Sequence, residues 1–358
     1  MKSILRITQS FSFLFLFIGN IQAYWVPTNG PSAGSIYSIG VCDSDIFVGT
    51  LSGGLFRTTD SGDTWTAVNN GLKLNVRVYS IDVFGTILYA GTDSGMYRSP
   101  DRGDSWTQVN NGLTNSSAFF SLANIGTFLY TGSDTGIFRS SDTGNSWAEA
   151  NAGLKNSRVN DFVVNGSILF AGSDSGVFRS ADSGDTWTQV NNGLTNPAVN
   201  ALALTGSALF SGTTGGGIFR SADSGNSWTQ INTGLAITYV WDLVVSGTDL
   251  FAATARFNAG ITGGVFRSAD NGNTWTQVGL QGEYTTKLAL LGANIFAVNG
   301  LYSGQVWRRP LSEMIPVAIQ SSRKISIKYR RPTDFRRFDA TGKRIAGFNR
   351  VKRVVLIK

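Results

Sequence analysis

One eight-residue motif recurs six times along the chain. Its consensus is S/T-x-D-x-G-x-S/T-W, and the first copy, at residues 58–65, reads TTDSGDTW. The tryptophans that end successive copies lie 41, 41, 40, 41 and 47 residues apart. A period of about 40 residues is typical of architectures in which each repeat is one supersecondary unit that packs on its neighbours. This motif, called the box below, therefore constrains the fold more than any other feature.

Each repeat contains four short stretches of strand-like sequence. In the fourth repeat, apolar runs at 159–164, 168–171 and 177–180 are separated by turns rich in Gly, Ser and Asp, and a fourth stretch follows the box at 187–190. Helical periodicity is absent. Four short strands in about 40 residues make one blade of a β-propeller. The sequence therefore predicts an all-β fold of four-stranded blades.

The two ends of the repeat region together supply a seventh blade. After the last box, residues 287–291, 294–298 and 305–309 read as three strands, but no box follows. Residues 24–30 (YWVPTNG) align with residues 187–193 (WTQVNNG), which places Tyr24 on Trp187. An N-terminal strand in the last blade closes the ring and removes an exposed sheet edge. We expect a seven-bladed propeller over residues 24–310 and a monomer.

The residue types of the box are those of a tight turn. An Asp carboxylate accepts backbone N–H groups within the turn, Gly supplies a left-handed position, and Trp covers the loop with a large apolar surface. We therefore expect a structural role for the box residues Asp60, Trp65, Asp101, Trp106, Asp142, Trp147, Asp182, Trp187, Asp223, Trp228, Asp270 and Trp275. An Arg that precedes every box, such as Arg179, is expected to be architectural too.

These six boxes resemble those of the Asp-box, or BNR-repeat, propellers. That group includes sialidases, xyloglucanases, sortilin-type receptors and photosystem II assembly factors, and the resemblance covers residues 24–310. It implies the propeller fold. It does not fix an activity, because one fold hosts many functions.

The N-terminus reads as a secretory signal peptide at residues 1–23. Lys2 and Arg6 form a charged region, an apolar run follows at residues 11–18, and Ala23 is a small residue at the predicted cleavage point. A retained N-terminal anchor is the alternative. We expect a secreted or cell-surface protein.

The C-terminal tail, residues 311–358, differs from the rest in charge. Residues 24–314 hold 15 Lys and Arg against 21 Asp and Glu, whereas residues 315–358 hold 13 against 2. The segments FDATGKRI (338–345) and VVLIK (354–358) resemble the end of a type IX secretion sorting domain, which implies the outer-membrane secretion machinery as a partner. The alternative is a basic β-rich appendage without a targeting role. Nucleic acid is not an expected partner, since charge alone is a weak signal.

The residues that are missing restrict the chemistry. The chain has no histidine and one cysteine, Cys42, so imidazole bases, Ser-His-Asp triads and ordinary His-ligated zinc sites are excluded. No metal or cofactor is predicted. If the protein is a glycoside hydrolase, the residues that would carry the reaction are Glu283, Tyr284, Asp161 and Asp242.

The first strands of the blades contribute a column of residues to the central mouth. The column consists of Tyr37, Tyr79, Phe120, Asn160, Asn200, Trp241 and Thr286. The sixth repeat is about six residues longer than the others, at 255–263, and this insert places Arg256 beside Trp241. Arg77 and Arg158 are two further arginines expected at the mouth. Aromatic and amide groups around one opening can bind a sugar or a peptide; alternatively, the aromatic rings only pack between blades.

The predicted function is that of an exported, non-catalytic binding protein. Its ligand, a carbohydrate or a protein, is expected to bind Tyr37, Tyr79, Phe120, Asn160, Asn200, Trp241 and Arg256. A secreted glycoside hydrolase, sialidase-like or otherwise dependent on carboxylates, is the first alternative. An assembly factor for an exported complex is the second.

Overall fold

The computed structural model describes residues 24–114, 118–155, 157–257, 261–300 and 304–314. Over these ranges the chain forms seven antiparallel sheets of four strands each. The first strands of consecutive sheets contact one another, and the first strand of the last sheet contacts that of the first sheet, so the sheets close a ring. The fold is a seven-bladed β-propeller, which confirms the predicted fold. The predicted signal peptide and residues 315–358 of the predicted tail lie outside the described residues.

The strands follow the order that the repeat predicts, from the axis of the ring to its rim. Blade 1 consists of β2 (Ile36–Cys42), β3 (Asp45–Thr50), β4 (Leu55–Thr58) and β5 (Thr66–Ala67). Blade 2 consists of β6 (Val78–Phe84), β7 (Ile87–Thr92), β8 (Gly95–Ser99) and β9 (Thr107–Gln108). Blade 3 consists of β10 (Phe119–Ile125), β11 (Phe128–Ser133), β12 (Ile137–Ser140) and β13 (Ala148–Glu149). Blade 4 consists of β14 (Val159–Asn165), β15 (Ile168–Ser173), β16 (Gly176–Ser180) and β17 (Thr188–Gln189). Blade 5 consists of β18 (Val199–Thr205), β19 (Ala208–Thr213), β20 (Gly217–Ser221) and β21 (Thr229–Gln230). Blade 6 consists of β22 (Val240–Ser246), β23 (Asp249–Phe257), β24 (Ile261–Ser268) and β25 (Thr276–Gly279). Blade 7 consists of β26 (Thr285–Leu291), β27 (Asn294–Asn299), β28 (Val306–Pro310) and, as its outer strand, β1 (Val26–Pro27).

The apolar core lies between neighbouring blades. Between blades 1 and 7, for example, Ile46 and Val48 of β3 pack with Phe296 and Val298 of β27. Most of the largest fully buried side chains are aromatic residues of second and third strands, among them Phe47, Tyr89, Tyr130, Phe138, Phe170, Phe178, Phe210, Phe219, Phe251, Phe266 and Phe296. Burial of each such ring contributes roughly 1.5–3 kcal/mol. Each blade therefore depends on both of its neighbours.

The N-terminal strand closes the ring, as the sequence predicts. β1 pairs antiparallel with β28, with Val26 opposite Arg308 and Pro27 opposite Trp307. Thr28 N then donates a 2.9 Å hydrogen bond to Val306 O. The outer edge of blade 7 is thereby covered by the start of the propeller sequence.

The predicted alignment of this strand is wrong by one residue. In blade 4, Arg179 pairs with Thr188, and its counterpart Arg308 pairs with Val26, so Trp25 rather than Tyr24 takes the place of Trp187. Trp25 is 8% exposed, and its Nε1 donates to Val278 O of blade 6 at 3.2 Å. The segment between the tryptophan and the Asn-Gly turn is one residue shorter here than in the repeats, which is why an alignment fixed on Asn29 shifts the strand.

The box is a compact hydrogen-bonded turn. Asp60 Oδ1 accepts hydrogen bonds from Thr64 N at 2.8 Å and Thr58 Oγ1 at 2.7 Å, and its Oδ2 accepts one from Thr64 Oγ1 at 2.6 Å. Asp101, Asp142, Asp182, Asp223 and Asp270 make the same three kinds of bond. Two consecutive residues, Ser61 (φ 60) and Gly62 (φ 97), have left-handed backbone conformations. The sequence had suggested only the glycine.

The repeated arginine links each blade to the next box. Arg179 Nη1 donates to Ser224 O and to Asn226 Oδ1, both at 3.0 Å. Arg308 of blade 7 reaches the box of blade 1 in the same way, with Ser61 O at 2.8 Å. Blade 7 has no box, so Arg267 of blade 6 binds Asp249 at 2.8 Å and the carbonyl oxygen of Met314 instead. Met314 follows a short 3-10 helix, Leu311–Glu313.

Removal of the closing tryptophan should destabilise the ring. We expect Trp25→Ala to lower the free energy of unfolding by about 3–5 kcal/mol, because it deletes a buried ring and the link from blade 7 to blade 6. Urea denaturation measures this change. The control is Tyr24→Ala, since Tyr24 is 67% exposed and exposed substitutions cost about 0.5 kcal/mol or less. Equal stability of the two variants would contradict the closure.

The box carboxylates should make the ring sensitive to acid. Hydrogen bonds from Thr186 and Ser180 lower the pKa of Asp182 from 3.8 to about 2. Because the folded-state pKa is the lower one, the contribution of the box to stability is complete above pH 4 and is lost as the pH falls towards 2. The stability difference between the native protein and Asp182→Asn, measured by denaturation, should therefore shrink between pH 4 and pH 2. A difference that stays constant from pH 6 to pH 2 would rule out this role.

Candidate functional site

The predicted column of mouth residues lies on a ring of β-bulges. In every blade the pairing of the first and second strands shifts by one residue at the column position, for instance between Val159 and Asp161 around Asn160. The same shift surrounds Tyr37, Tyr79, Phe120, Asn200, Trp241 and Thr286. A bulged residue leaves the ladder and its side chain is redirected. The bulges therefore present one side chain per blade at the same level of the ring.

Five aromatic side chains lie around the mouth near this level in two contacting groups, called together the aromatic arc below. Its members are Trp241, Tyr284, Tyr37, Tyr79 and Phe120, which belong to or precede the first strands of blades 6, 7, 1, 2 and 3. Ring centroids are 6.3 Å apart for Trp241 and Tyr284, 5.7 Å for Tyr37 and Tyr79, and 5.1 Å for Tyr79 and Phe120. Burial, and secondarily the neighbouring Tyr37, raise the pKa of Tyr284. The rings thus pack across blades, and Tyr37 remains 39% exposed.

Three exposed arginines flank the aromatic residues. The Arg158 guanidinium lies 3.8 Å from the centre of the Phe120 ring, and that of Arg256 lies 5.1 Å from the centre of the Tyr239 ring. Hydrogen bonding with Tyr79 raises the pKa of Arg77. A cation over the face of an aromatic ring is attracted to that ring by about 0.5–1 kcal/mol at exposed sites. The structure therefore places each of the three mouth arginines against an aromatic ring, on different blades.

The two asparagines of the column link blades. Asn160 Nδ2 donates to Asp174 Oδ1 at 2.9 Å and to Val199 O of the next blade at 2.8 Å. Asn200 Nδ2 does the same with Thr214 Oγ1 and Val240 O, both at 2.8 Å. An amide nitrogen has two hydrogens, so both donors of each side chain are engaged within the protein. These two predicted ligand-binding residues have only their amide oxygens left for a ligand.

Trp241 and Arg256 belong to the one blade whose hairpin is longer than the others. β23 and β24 pair as far as Phe257 and Ile261, beyond the point where the hairpins of other blades turn. Trp241 Nε1 donates to Ala255 O at 2.8 Å, and Gly282 N of the following loop donates to Gly263 O at 3.2 Å. The predicted insert therefore extends the hairpin. Hydrogen bonds join its β23 side to Trp241 and its β24 side to the following loop.

Two of the predicted carboxylates hold adjacent first strands together. Asp161 accepts hydrogen bonds from Phe162 N at 2.8 Å and from Leu202 N of blade 5 at 2.7 Å. Asp242 accepts from Leu243 N at 2.9 Å and from Leu288 N of blade 7 at 2.8 Å. Enclosure by protein raises the pKa of Asp161 to about 7 and also raises that of Asp242, and Lys287 opposes both shifts.

The third predicted carboxylate lies apart from these two. Glu283 Oε2 accepts a 2.6 Å hydrogen bond from Asn299 Nδ2, and Glu283 precedes Tyr284 in the loop between blades 6 and 7. Asp161 and Asp242 line the central cavity, whereas Glu283 is not among its lining residues. Of the four predicted catalytic residues, the wall of the central cavity therefore contains Asp161 and Asp242.

The cavity at the axis of the ring has a volume of about 190 Å³. Its charged lining residues are Asp82, Asp161, Asp242 and Lys287, and the column residues Tyr79, Phe120 and Asn160 belong to its wall. Sequence reasoning missed Asp82. The signal was available, because the positions equivalent to Asp82 in the other first strands are Gly40, Ala123, Val163, Ala203, Val244 and Ala289. A single carboxylate in an otherwise apolar column marks a departure from the repeat.

The described ranges contain no group of three or more Cys, Asp or Glu side chains arranged to hold a metal ion. No helix in these ranges is long and apolar enough to cross a membrane.

Comparison with solved structures agrees with the fold. YCF48 bound to D1 peptide matches with a TM-score of 0.64 and 19% identity, over 80% of this chain and 96% of that one. The extracellular domain of the one-component system BT4673 from B. thetaiotaomicron matches with 0.62 and 19%, over 80% and 39%. The GH74 xyloglucanase from Xanthomonas campestris matches with 0.61 and 17%, over 81% and 54%. No family model and no curated protein sequence matches the chain.

Proposed function

We propose that this protein is an exported, non-catalytic propeller that captures a polypeptide at the aromatic arc. The observation that carries the proposal is the arc itself, in which Trp241 contacts Tyr284, and Tyr79 contacts both Tyr37 and Phe120, with arginines at its sides. Partly exposed aromatic residues and arginine are the residue types that dominate protein-binding sites. The fold supports the same function, since one similar structure is that of YCF48 with a peptide bound.

The orientation of the rings favours a polypeptide over a carbohydrate. A sugar ring stacks on a broad, open aromatic face. Here neighbouring rings meet at 72° for Tyr37 and Tyr79 and at 53° for Tyr79 and Phe120, and the Phe120 face is covered by Arg158. The arc therefore offers edges and clefts between rings, which suit the side chains and amide groups of a peptide.

The contacts of the predicted catalytic carboxylates support a binding function rather than glycoside hydrolysis. Asp161 and Asp242 each accept a hydrogen bond from the next blade, and Glu283 is bound to Asn299 outside the cavity wall. These bonds account for the three side chains without a reaction. An assembly factor would be one case of polypeptide capture, and it would use the same surface.

Substitutions in the arc should weaken peptide binding. Peptides are selected from a displayed library on the full chain, and their affinities are measured by calorimetry. We expect Tyr79→Ala and Phe120→Ala to reduce affinity at least tenfold, because central aromatic residues contribute about 2 kcal/mol or more at hot spots. The matched control is Leu74→Ala, since Leu74 is 85% exposed and lies outside the arc.

Other results of the same comparison would select an alternative function. Binding to a glycan array that Tyr79→Ala abolishes would favour a carbohydrate ligand. Turnover of a fluorogenic sialoside that is lost in Glu283→Gln would establish the hydrolase. Peptide affinities that are equal in the native protein and both arc variants would refute capture at the arc.

Export is part of the proposal. It is supported by the charged and apolar segments before Ala23 and by the position of Trp25, the first buried residue of the ring, two residues after the expected cleavage point. We expect the mature protein to begin at Tyr24 in mass spectrometry, and a chain that lacks residues 315–358 to be missing from the cell surface. A mature protein that retains Met1 would contradict cleavage. Unchanged surface display after the deletion would contradict the sorting function of the tail.

A further inference from the structure

Blade 7 lacks the covalent link that joins the two outer strands in each of blades 1 to 6. There the box connects the third strand to the fourth, as it connects β16 to β17 in blade 4. In blade 7 the corresponding strands are β28 and β1, which come from opposite ends of the propeller sequence. β1 is only two residues long, Val26–Pro27. Its place in the ring therefore depends on contacts with other parts of the chain.

Arg309 occupies the position at which a box would begin in blade 7. Strand pairing makes it the equivalent of Ser180 in blade 4, whose hydroxyl donates to Asp182 within the box. Arg309 is 9% exposed. Its guanidinium donates to Val278 O of blade 6 and, at 3.1 Å, to Glu313 O. Burial of a charged group is costly unless hydrogen bonds replace those to water, so these two carbonyl groups hold the guanidinium in place.

The four residues that follow β28, Leu311 to Met314, are bound to two blades and are called the strap below. Leu311 N donates to Ala293 O of blade 7 at 2.8 Å, and Arg267 Nη1 of blade 6 donates to Met314 O at 3.1 Å. Met314 is 4% exposed and belongs to the same apolar cluster as Trp25. The strap therefore ends in the cluster that buries the tryptophan of the N-terminal segment.

Both ends of the propeller sequence bind the same carbonyl group. Trp25 Nε1 donates to Val278 O at 3.2 Å, and Arg309 Nη1 donates to that same oxygen. A carbonyl oxygen has two lone pairs, so it can accept both bonds. Trp25 precedes β1 in the chain, and Arg309 belongs to β28. The two bonds therefore attach both members of the unlinked strand pair to blade 6.

We propose that β1 and the strap form a lock in which each end of the propeller sequence holds the other in place. If the strap leaves, the cluster that buries Trp25 loses Met314; if Trp25 leaves, the cluster that buries Met314 loses the indole ring. Such a coupling is reciprocal. The two ends therefore open together as one local unit, while the other blades stay closed. Opening exposes the outer edge of β28, and a free strand edge can pair with another chain.

Hydrogen exchange of the full chain, followed by mass spectrometry, tests the lock. The backbone amides of Thr28 and Asn29, which are hydrogen-bonded in the closed ring, report on the N-terminal end. Those of Leu311 and Met314 report on the strap. Arg309→Met removes the guanidinium and keeps an apolar side chain. We expect it to speed up exchange about tenfold or more at both ends, because hydrogen bonds from a charged group stabilise more than neutral ones.

The complementary change starts from the N-terminal end. Trp25→Phe removes the indole N–H but keeps an aromatic ring, and it should speed up exchange in the strap as well as at Thr28 and Asn29. The matched control is Arg220→Met, which removes a link of the same kind between blade 5 and the box of blade 6. This control should leave exchange at both ends of the propeller sequence unchanged.

Three outcomes would overturn the proposal. If Arg309→Met affects only the strap, or Trp25→Phe affects only the N-terminal end, the two ends open independently. If neither variant changes exchange at either end, the guanidinium and the indole do not hold them. If exchange rises throughout the ring in Arg309→Met and also in the milder Arg309→Lys, the two ends open only with the whole ring. Each of these results would leave peptide capture at the arc untouched.

Discussion

The ring depends on one hydrogen-bonded contact that recurs between blades. The box tryptophan of a blade packs against the preceding blade and donates its indole N–H to a carbonyl oxygen there, as Trp187 does to Ala150 O at 2.9 Å. Trp25 makes the equivalent bond to Val278 O although it belongs to no box. Trp65 is the exception, since its Nε1 has no partner among the described residues. It faces the N-terminal segment at Gly30, where the chain is one residue shorter than in the repeats. The closure of the ring thus comes with one lost hydrogen bond.

Most of the fold could be predicted from the sequence because the same pattern of short strands and turns recurs in each repeat. Each of the first six blades carries two apolar strands, a box and a tryptophan, and each of these corresponds to a contact with a neighbouring blade. The register of β1 was the part that failed. Its residues resemble the repeat at Trp25, Asn29 and Gly30, but one residue is missing between the tryptophan and Asn29, so an alignment without a gap cannot match both ends. Burial of the Trp25 ring fixes the register, and burial is a property of the assembled ring.

The candidate site could be predicted less completely, for a physical reason. Alignment of the first strands found the mouth column, but it could not show that Asn160 and Asn200 donate both amide hydrogens within the protein. One bond of each asparagine reaches the second-to-third strand loop of its own blade and the other reaches the next blade, and their geometry depends on the β-bulge. The sequence places Tyr284 beside Glu283 among the candidate catalytic residues. In the folded ring its contact with Trp241 makes it a member of an aromatic surface.

The bulges explain how a regular ring can carry an irregular binding surface. Residues of the box and the apolar strands contact a neighbouring blade, so a change of type there disturbs two blades at once. A bulged residue is left out of the strand ladder, and the seven bulges of this chain hold Tyr, Tyr, Phe, Asn, Asn, Trp and Thr. Side chains can therefore differ at this level while the strands on either side keep their pairing. The bulged rings of blades 1, 2 and 3 contact one another, and the bulged Trp241 of blade 6 contacts Tyr284 of the following loop, so the aromatic arc combines residues that no single repeat encodes.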